Sequence, residues 1–232
     1  MRLIKLVDRR RISKGELLII ATPIGNLEDI TIRAINSLKS VDIIACEDTR
    51  RTRILTNHYN ISKPLVSFYS YNKVKRLGSL ISHLENGKTI GLVSDAGTPG
   101  ISDPGYTIIK AAIDKGIIVR SIPGPAALIS ALVISGKPTH KFLFEGFLSN
   151  KSAQRRKRLA DLKKEERTVI LYESPHRLLK LLKDILDVLG DAEVVCAREL
   201  TKKFEEIKRG KVSEIIEYFT GFKPRGEFVV IL

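Results

Sequence analysis

Three turns rich in glycine and proline are the part of this sequence best suited to chemistry. They read ATPIGN at residues 21–26, SDAGTPGISDPG at residues 94–105 and IPGPAA at residues 122–127, and each follows an apolar run typical of a β-strand. In open α/β sheets, ligands bind beyond the carboxyl ends of the strands. Glycine allows the backbone to approach a ligand closely, so we expect a small-molecule site at this rim. The alternative is a set of ordinary turns, because glycine and proline punctuate any α/β fold.

Several familiar kinds of site are excluded by the motifs that the sequence lacks. It contains no GxxxxGK[ST] phosphate loop, no GxGxxG after the first strand and no GxSxG nucleophile turn. Its two cysteines, Cys46 and Cys196, lie within apolar runs, which is typical of buried thiols in a reducing compartment. With only four scattered histidines, the sequence also lacks the clustering that a metal site needs. We therefore expect no metal.

The elements that must position the turns alternate between strand and helix. In the first half, apolar runs such as residues 17–21 and 89–93 alternate with segments whose apolar residues recur at helical spacing. Residues 136–138, GKP, interrupt this pattern, which starts again with Phe142–Phe147. The sequence therefore predicts an α/β fold of two small domains, residues 1–136 and 137–232.

Capping residues predict where some helices begin. Asp29 is placed to cap the helix that follows the first turn. Ser174 followed by Pro175 is typical of an N-cap and a first helical position, so a long helix is expected to begin there.

The charge of the chain indicates a polyanionic partner. The formal net charge is +14, and it is spread over both predicted domains, with 19 basic and 11 acidic residues before position 137 and 21 basic and 15 acidic residues from position 137 onward. Because Lys and Arg neutralise phosphates and release counterions, we expect nucleic acid. A basic surface that only keeps the protein dissolved is the alternative. No apolar run reaches the ~18 residues of a membrane span, and no secretion signal is visible, so we expect a cytoplasmic protein.

Seven motifs, in this order and spacing, carry a resemblance to a known family: ATPIGNLEDITIRA, ACEDTRRT, SDAGTPGISDPGY, PGPAALISAL, FLFEGFL, YESPHRL and ARELTK. Together they closely resemble the 16S ribosomal RNA 2′-O-ribose methyltransferases that act on a decoding-region cytidine, within the tetrapyrrole-methylase superfamily. The resemblance implies two small α/β domains with S-adenosylmethionine (SAM) in the cleft between them, no metal and a homodimer. It also implies methyl transfer to a ribose 2′-hydroxyl of 16S rRNA in the small ribosomal subunit.

The superfamily's cofactor contacts can be carried over only onto matching positions. The resemblance implies contacts in the three turns and in the second domain: Pro23, Ile24 and Gly25; Asp95, Ala96, Gly97, Gly100 and Ile101; Ala126 and Ala127; Tyr172 and Gly210. Small residues at these points suit a ligand that the backbone reaches directly.

Methyl transfer from an activated carbon asks the protein mainly to position two reactants, and a base then removes the hydroxyl proton. The carboxylates near the rim are Glu28, Asp29, Glu47, Asp48, Asp103 and Glu173. Glu47 and Asp48 rank first because EDTR directly follows a strand, and Glu173 is kept as a third catalytic candidate beside Tyr172. For Asp48, helix capping is the alternative role.

Contacts to RNA are expected from polar and basic side chains: Asn26, Arg50, Arg51, Arg53, Arg177, Arg198 and Lys202. The most concentrated basic cluster is residues 155–158, for which a solvated helix face is an equal alternative. Tyr69 and Tyr71 are candidates for stacking on a base, or core-edge aromatics. Many family members continue past the final strand, so we expect any RNA contact made by that extension to be absent or to be replaced, either by the dispersed basic surface or by the N-terminal segment RLIKLVDRRR.

Two other functions stay open. One is methylation of a tetrapyrrole, against which stand the +14 charge and the absence of the usual GxGPGD first turn. The other is a ribosome-assembly factor that binds SAM or RNA without turnover.

Overall fold

The computed structural model describes residues 14–68, 73–103, 105–222 and 224–232. The chain forms two compact units. One contains the chain up to Pro23 together with Leu27–Gly124, and the other contains Ile24–Asn26 together with Pro125–Leu232. The predicted α/β class with two sheets is confirmed. The change of unit comes at Gly124, however, whereas the sequence prediction placed it after Gly136.

The first unit is built on a five-stranded parallel sheet of order β3-β2-β4-β1-β5. Its strands are β1 Glu16–Ile20, β2 Ile43–Cys46, β3 Leu65–Ser67, β4 Ile90–Leu92 and β5 Ile118–Ile122. Its helices are a short 3₁₀ helix Leu27–Asp29, α1 Ile32–Ser40, α2 Thr49–His58, α3 Lys73–Glu85 and α4 Tyr106–Asp114.

Both faces of this sheet are covered by apolar side chains. Along β1, Leu17 and Ile19 belong to one apolar cluster, while Leu18 and Ile20 belong to another. Successive side chains of a strand point to opposite faces, so the central strands β2 and β4 are continuous apolar runs, whereas the edge strand β5 carries the exposed Arg120 and Ser121. This burial fixes the carboxyl ends of β1, β2 and β4 as neighbours at one edge.

The start of α1 differs from the prediction. Thr31 caps this helix, because its hydroxyl accepts a hydrogen bond of 3.0 Å from the backbone N–H of Ala34. Asp29 lies one turn earlier, in the 3₁₀ helix. The expectation that Asp29 caps the helix is therefore wrong, since the chain makes an additional tight turn before the helix begins.

The second unit has a mixed sheet of order β6-β7-β10-β8-β9, in which only β6 and β7 run parallel. Its strands are β6 Phe142–Phe147, β7 Thr168–Glu173, β8 Glu193–Arg198, β9 Glu206–Lys211 and β10 Phe228–Ile231. Its helices are α5 Ala127–Ser135, α6 Ser152–Leu162, α7 Leu178–Leu189 and α8 Val212–Thr220. In the ranges that the structure describes, no helix is both long and apolar enough to span a membrane.

Helix α5 explains the shifted boundary. Its buried residues Leu128 and Leu132 pack in an apolar cluster with side chains of β7, β8 and β10, such as Ile170 and Val195. The break at residues 136–138 is the strongest local signal, but it follows α5 instead of preceding it. Similarly, α7 begins at Leu178, because residues 174–177 form a turn ahead of it, so Ser174 is not its N-cap.

Candidate active site

The first turn and the long loop of the first unit are joined by backbone hydrogen bonds. The N–H of Thr22 donates to the carbonyl of Gly97 over 2.9 Å, and the N–H of Gly97 donates back over 3.0 Å. The Thr22 hydroxyl, which is buried, donates to the carbonyl of Ser94 over 3.2 Å. The prediction that these two segments meet at one rim is confirmed.

Glycine is required within the long loop at two positions. Gly97 and Gly100 have φ angles of +78° and +88°, in the left-handed region that side chains disfavour. The Ser94 hydroxyl donates to the carbonyl of Ala96 over 3.2 Å and stabilises the start of the loop from within. The loop therefore has a fixed backbone conformation set by its own sequence.

Carboxylates meet where β2 and β4 end. The backbone N–H of Asp48 donates to Oδ1 of Asp95 over 3.1 Å, and Nε of Arg51 lies 3.5 Å from Oδ2 of Asp95. Asp48 caps α2 by accepting the N–H of Arg50 over 2.8 Å, as its alternative role predicted. The Arg50 guanidinium also binds both carboxylate oxygens of Asp48, at 3.0 Å and 2.6 Å. Glu47 directly precedes this pair.

The two acidic residues after β2 differ in basicity. Hydrogen bonds from Arg50 lower the pKa of Asp48 to about 2. Burial raises the pKa of Glu47, and the nearby Asp95 charge raises it further, while Arg51 opposes the change. A proton acceptor near neutral pH is better served by a raised pKa. The environment thus favours Glu47 over Asp48 as a base.

Glu173, at the end of β7, is the most buried carboxylate among the candidates. Its Oε1 accepts the backbone N–H of Ser174 over 2.8 Å and lies 3.2 Å from Nε of Arg177. Its Oε2 is buried and has no hydrogen-bond partner among the described residues. Burial raises the pKa of Glu173, although Ser174 and Arg177 act in the opposite direction. An unpaired buried carboxylate oxygen is costly, and a ligand group could satisfy it.

Tyr172 holds the first turn of α5. Its hydroxyl accepts the backbone N–H of Leu128 over 3.1 Å, which brings Tyr172 close to Ala126 and Ala127. These three predicted cofactor residues therefore lie together in the second unit. Gly210 does not join them, because it pairs with Val194 at the opposite end of the sheet.

The predicted RNA-binding residues fall into two groups. Arg50 and Arg51 project from α2 with 89% and 64% of their side chains exposed, and Arg53 is also exposed. The remaining cations are mostly covered and paired with acids: Arg177 with Glu173, Arg198 with Glu206, and Lys202 with Glu199 and Glu227. Asn26 is half-buried in the first turn. The arginines of α2 are therefore more accessible to RNA than the cations that are paired with acids.

The basic cluster at residues 155–158 is largely neutralised. Arg155 is buried, and its Nε donates to Oδ2 of Asp184 over 2.7 Å. Arg156 pairs with Asp187 at 2.6 Å, and Arg158 pairs with Glu145. Arg155 thus belongs to a buried ion pair, so its side chain is accessible neither to RNA nor to solvent. No local sequence pattern predicts these pairs, because Asp184, Asp187 and Glu145 lie on other elements.

Tyr69 and Tyr71 lie outside the described residues. Thr22 and Ser94, which join the first turn to the long loop, were not predicted, although each is a hydroxyl directly after an apolar strand. Across the described parts of the chain, no group of three His, Cys, Asp or Glu residues is placed to hold a metal ion.

Comparisons with known proteins identify the family. The model of the family described as Tetrapyrrole (Corrin/Porphyrin) Methylases matches residues 16–216. A Thermotoga maritima protein named "Ribosomal RNA small subunit methyltransferase I" is 53% identical over 218 residues, which covers 94% of this chain and 98% of the relative. A Halalkalibacterium halodurans protein of the same name is 49% identical over 224 residues, covering 97% of this chain and 78% of the relative.

Solved structures share the fold at low identity. A diphthine synthase superposes with a TM-score of 0.73 at 13% identity, over 94% of this chain and 90% of that one. A cobalt precorrin-4 methyltransferase superposes with a TM-score of 0.69 at 19% identity, over 93% and 94%. The chain therefore belongs to the tetrapyrrole methylase family, among the relatives named ribosomal RNA small subunit methyltransferase I.

Proposed function

We propose that this chain is a SAM-dependent methyltransferase of small-subunit ribosomal RNA, and that it methylates the ribose 2′-hydroxyl of a cytidine in the decoding region of 16S rRNA. The observation that carries the proposal is the 53% identity, over almost the whole of both chains, to a relative named for that class of activity. The net charge of +14 supports a polyanionic substrate. The choice of a cytidine 2′-hydroxyl rests on the motif resemblance.

The residues present fit SAM. Its sulfonium is a cation, and the carboxylates of Glu47, Asp48 and Asp95 exceed the two guanidiniums beside them by one negative charge. The turns that would face its adenosine and methionine parts are rich in glycine and alanine. We propose that these residues hold it: Pro23, Ile24, Gly25, Asp95, Ala96, Gly97, Gly100, Ile101, Ala126, Ala127 and Tyr172. The placement of Gly210 does not support its inclusion.

When bound, SAM supplies a methyl group on a positively charged sulfur. The chain's own part is then to orient the ribose hydroxyl and to accept its proton. We assign the proton acceptor to Glu47, whose raised pKa makes it the stronger base, whereas Asp48 caps α2 and holds Arg50. Glu173 offers its unpaired Oε2 to a polar group of the ligand, so we place it as a binding carboxylate and a second candidate acceptor.

The RNA is proposed to lie against the exposed arginines of α2. Arg50, Arg51 and Arg53 follow directly after Glu47 and Asp48 in the chain, so phosphate contacts by this helix would bring the substrate to the proposed base. Phosphate contacts fix the position of the substrate and carry no sequence information.

We also propose that the protein acts as a homodimer in the cytoplasm. The exposed side chains of Ile129 and Val133, on one face of α5, are an apolar surface that a second copy could cover. A helix that is apolar on almost all sides is normally buried. Light scattering of wild type and of Val133→Glu tests this point, with a dimer expected for the first and a monomer for the second.

Methylation assays separate this proposal from its alternatives. Purified small ribosomal subunits and uroporphyrinogen are each offered to the protein with SAM labelled in its methyl group. Label in the ribosomal subunits supports the proposal. Label in uroporphyrinogen would support tetrapyrrole methylation, and SAM binding without label in either would support an assembly factor.

A further inference from the structure

The side chain of Lys202 lies directly on the backbone of Gly25. A Cβ atom placed on Gly25 would be 2.4 Å from Cγ and 2.5 Å from Cε of Lys202, which is closer than atoms approach without displacement. Gly25 does not have a left-handed φ angle, so its backbone would accept other residues. The requirement for glycine at this position therefore comes from the lysine stem that covers it.

The ammonium of Lys202 is held by two carboxylates. Its Nζ donates to Oε1 of Glu199 over 2.9 Å and to Oε2 of Glu227 over 3.1 Å. The side chains of Lys202 and Glu199 are 28% and 20% exposed, whereas that of Glu227 is 72% exposed. Glu199 is therefore the main counterion, and Glu227 is a minor one.

The side chain of Glu199 packs in turn on the backbone of a second glycine. A Cβ atom on Gly226 would lie 2.3 Å from Cγ of Glu199. Oε1 of Glu199 also accepts the backbone N–H of Glu227 over 3.0 Å. The Lys202–Glu199 ion pair thus lies between the backbones of Gly25 and Gly226, both of which leave room for it.

The backbone that presents this ion pair is unusual. Glu199 and Thr201 have φ angles of +49° and +66°, which residues with a side chain rarely adopt. Such conformations persist where the surroundings determine them, and they cluster at functional sites. Here the hydrogen bonds of Glu199 and Lys202 supply that constraint.

We propose that Lys202 is a positioning residue for the first turn, and that its ion pair with Glu199 holds Ile24–Asn26 in the conformation that binds SAM. Ile24 anchors the same turn by packing into the apolar cluster with Leu128 and Leu132. The inference rests on the proposed function, because it concerns SAM binding by that site. It gives Lys202 a role other than the RNA contact that the sequence predicted.

The charges agree with this role. Burial acts to lower the pKa of Lys202, but the hydrogen bonds that it donates to Glu199 and Glu227 hold it above its ordinary value. Burial acts to raise the pKa of Glu199, and Lys202 holds it below its ordinary value. Both groups are thus stabilised in the charged form by each other, and removal of the ammonium leaves a carboxylate without its partner.

Calorimetric titration of the full chain with SAM tests the proposal without RNA. Lys202→Met keeps most of the stem and removes the charge, and we expect it to weaken SAM binding about tenfold, within the range of coupling between contacting residues. Glu199→Gln should give a similar loss, and the matched control Glu227→Gln should bind like wild type. Affinity for small ribosomal subunits should change less than twofold in all three.

A double-mutant cycle tests the contact itself. Gly25→Ala alone should weaken SAM binding, because its Cβ collides with the Lys202 stem, and Lys202→Ala alone should weaken it by loss of the ion pair. In the double variant the collision is removed, so the losses should be far from additive. The denaturation midpoints of the same three variants, measured without SAM, show whether residues 25 and 202 are in contact in the free protein.

The outcomes separate the inference from the proposed function. Wild-type SAM affinity in Lys202→Met, together with weaker binding to ribosomal subunits, would overturn the inference and restore the RNA contact. Additive effects in the cycle would also overturn it. A wild-type protein that binds SAM but methylates no ribosomal RNA would overturn the proposed function and leave the role of Lys202 standing.

Discussion

The backbone N–H of Asp48 donates a 3.1 Å hydrogen bond to Oδ1 of Asp95, which joins the end of β2 to the start of the long loop after β4. Asp95 also lies 3.5 Å from Nε of Arg51 through its other oxygen. One carboxylate therefore connects the loop proposed to hold SAM with the helix proposed to hold RNA.

Removal of the Asp95 carboxylate should weaken SAM binding. We expect Asp95→Ala to raise the dissociation constant about tenfold or more, because both the hydrogen bond to Asp48 and a negative charge near the sulfonium are lost. Asp95→Asn keeps an acceptor oxygen and should lie between Asp95→Ala and wild type. Calorimetry measures all three, and equal affinities would refute this role.

The rate of methyl transfer should depend on the ionisation of Glu47. A base works in its deprotonated form, so the single-turnover rate should rise with pH through the raised pKa of Glu47 and then level off. Glu47→Gln should lower the rate by about 10²-fold or more and remove this rise. Rates from pH 5 to 9 measure it.

Asp48→Asn is the matched control for Glu47→Gln. The pKa of Asp48 is about 2, so its ionisation is complete throughout that pH range and its replacement should leave the rise in rate intact. If the rate of Glu47→Gln rises with pH as in wild type, while the rate of Asp48→Asn does not change with pH, then Asp48 is the base and Glu47 is not.

Exposed arginines of α2 should contribute to RNA affinity through phosphates. Replacement of Arg50 and Arg53 by Gln should weaken binding to small ribosomal subunits and reduce the slope of log K against log salt by about 1 per lost contact. SAM affinity should stay close to that of wild type. Filter binding at several salt concentrations measures the slope.

Arg156→Gln is the control for the α2 variants. This arginine is 42% exposed, against 89% for Arg50, and it pairs with both Asp187 at 2.6 Å and Asp184 at 3.4 Å, so its loss should change the salt slope less than the α2 variants do. A larger effect of Arg156→Gln than of the α2 variants would place the RNA on α6 instead.

The buried pair Arg155–Asp184 should be important for stability. Asp184→Leu leaves a buried guanidinium without its counterion, which costs about 3–5 kcal/mol in the free energy of unfolding. Replacement of both partners, as Arg155→Met with Asp184→Leu, should recover most of the loss. Asp187→Asn, at an exposed pair, should cost about 1 kcal/mol or less. Urea denaturation compares the variants, and an Asp184→Leu midpoint equal to that of wild type would contradict the account.

Local sequence predicted the central strands of the first unit well, because burial on both faces makes β2 and β4 continuous apolar runs. It also predicted the capping role of Asp48, since that side chain acts on a backbone group two residues away. It failed for Asp29, where Thr31 offers a cap at the true helix start. The boundary after Gly136 stays a prediction, and it differs from the change of unit at Gly124 because the unit to which α5 belongs depends on long-range packing of Leu128 and Leu132.

Local sequence determines the backbone of the proposed site more than it determines the pairing of its charges. The left-handed φ angles in the long loop fall on Gly97 and Gly100, which adopt them without help from distant neighbours. The roles of cations depend on counterions far along the chain. Lys202 reaches Glu227, and Arg155 reaches Asp184 on another helix, and neither pair has a local sequence pattern.

Direct mapping of the methyl group tests the central claim. Small ribosomal subunits from a strain deleted for this protein are incubated with the purified chain and SAM, and nuclease fragments of 16S rRNA are then sequenced by mass spectrometry. We expect one added methyl group on the ribose of a decoding-region cytidine, and none with Glu47→Gln at equal times. A methyl group on a base or outside the decoding region, or no methyl group on 16S rRNA at all, would contradict it.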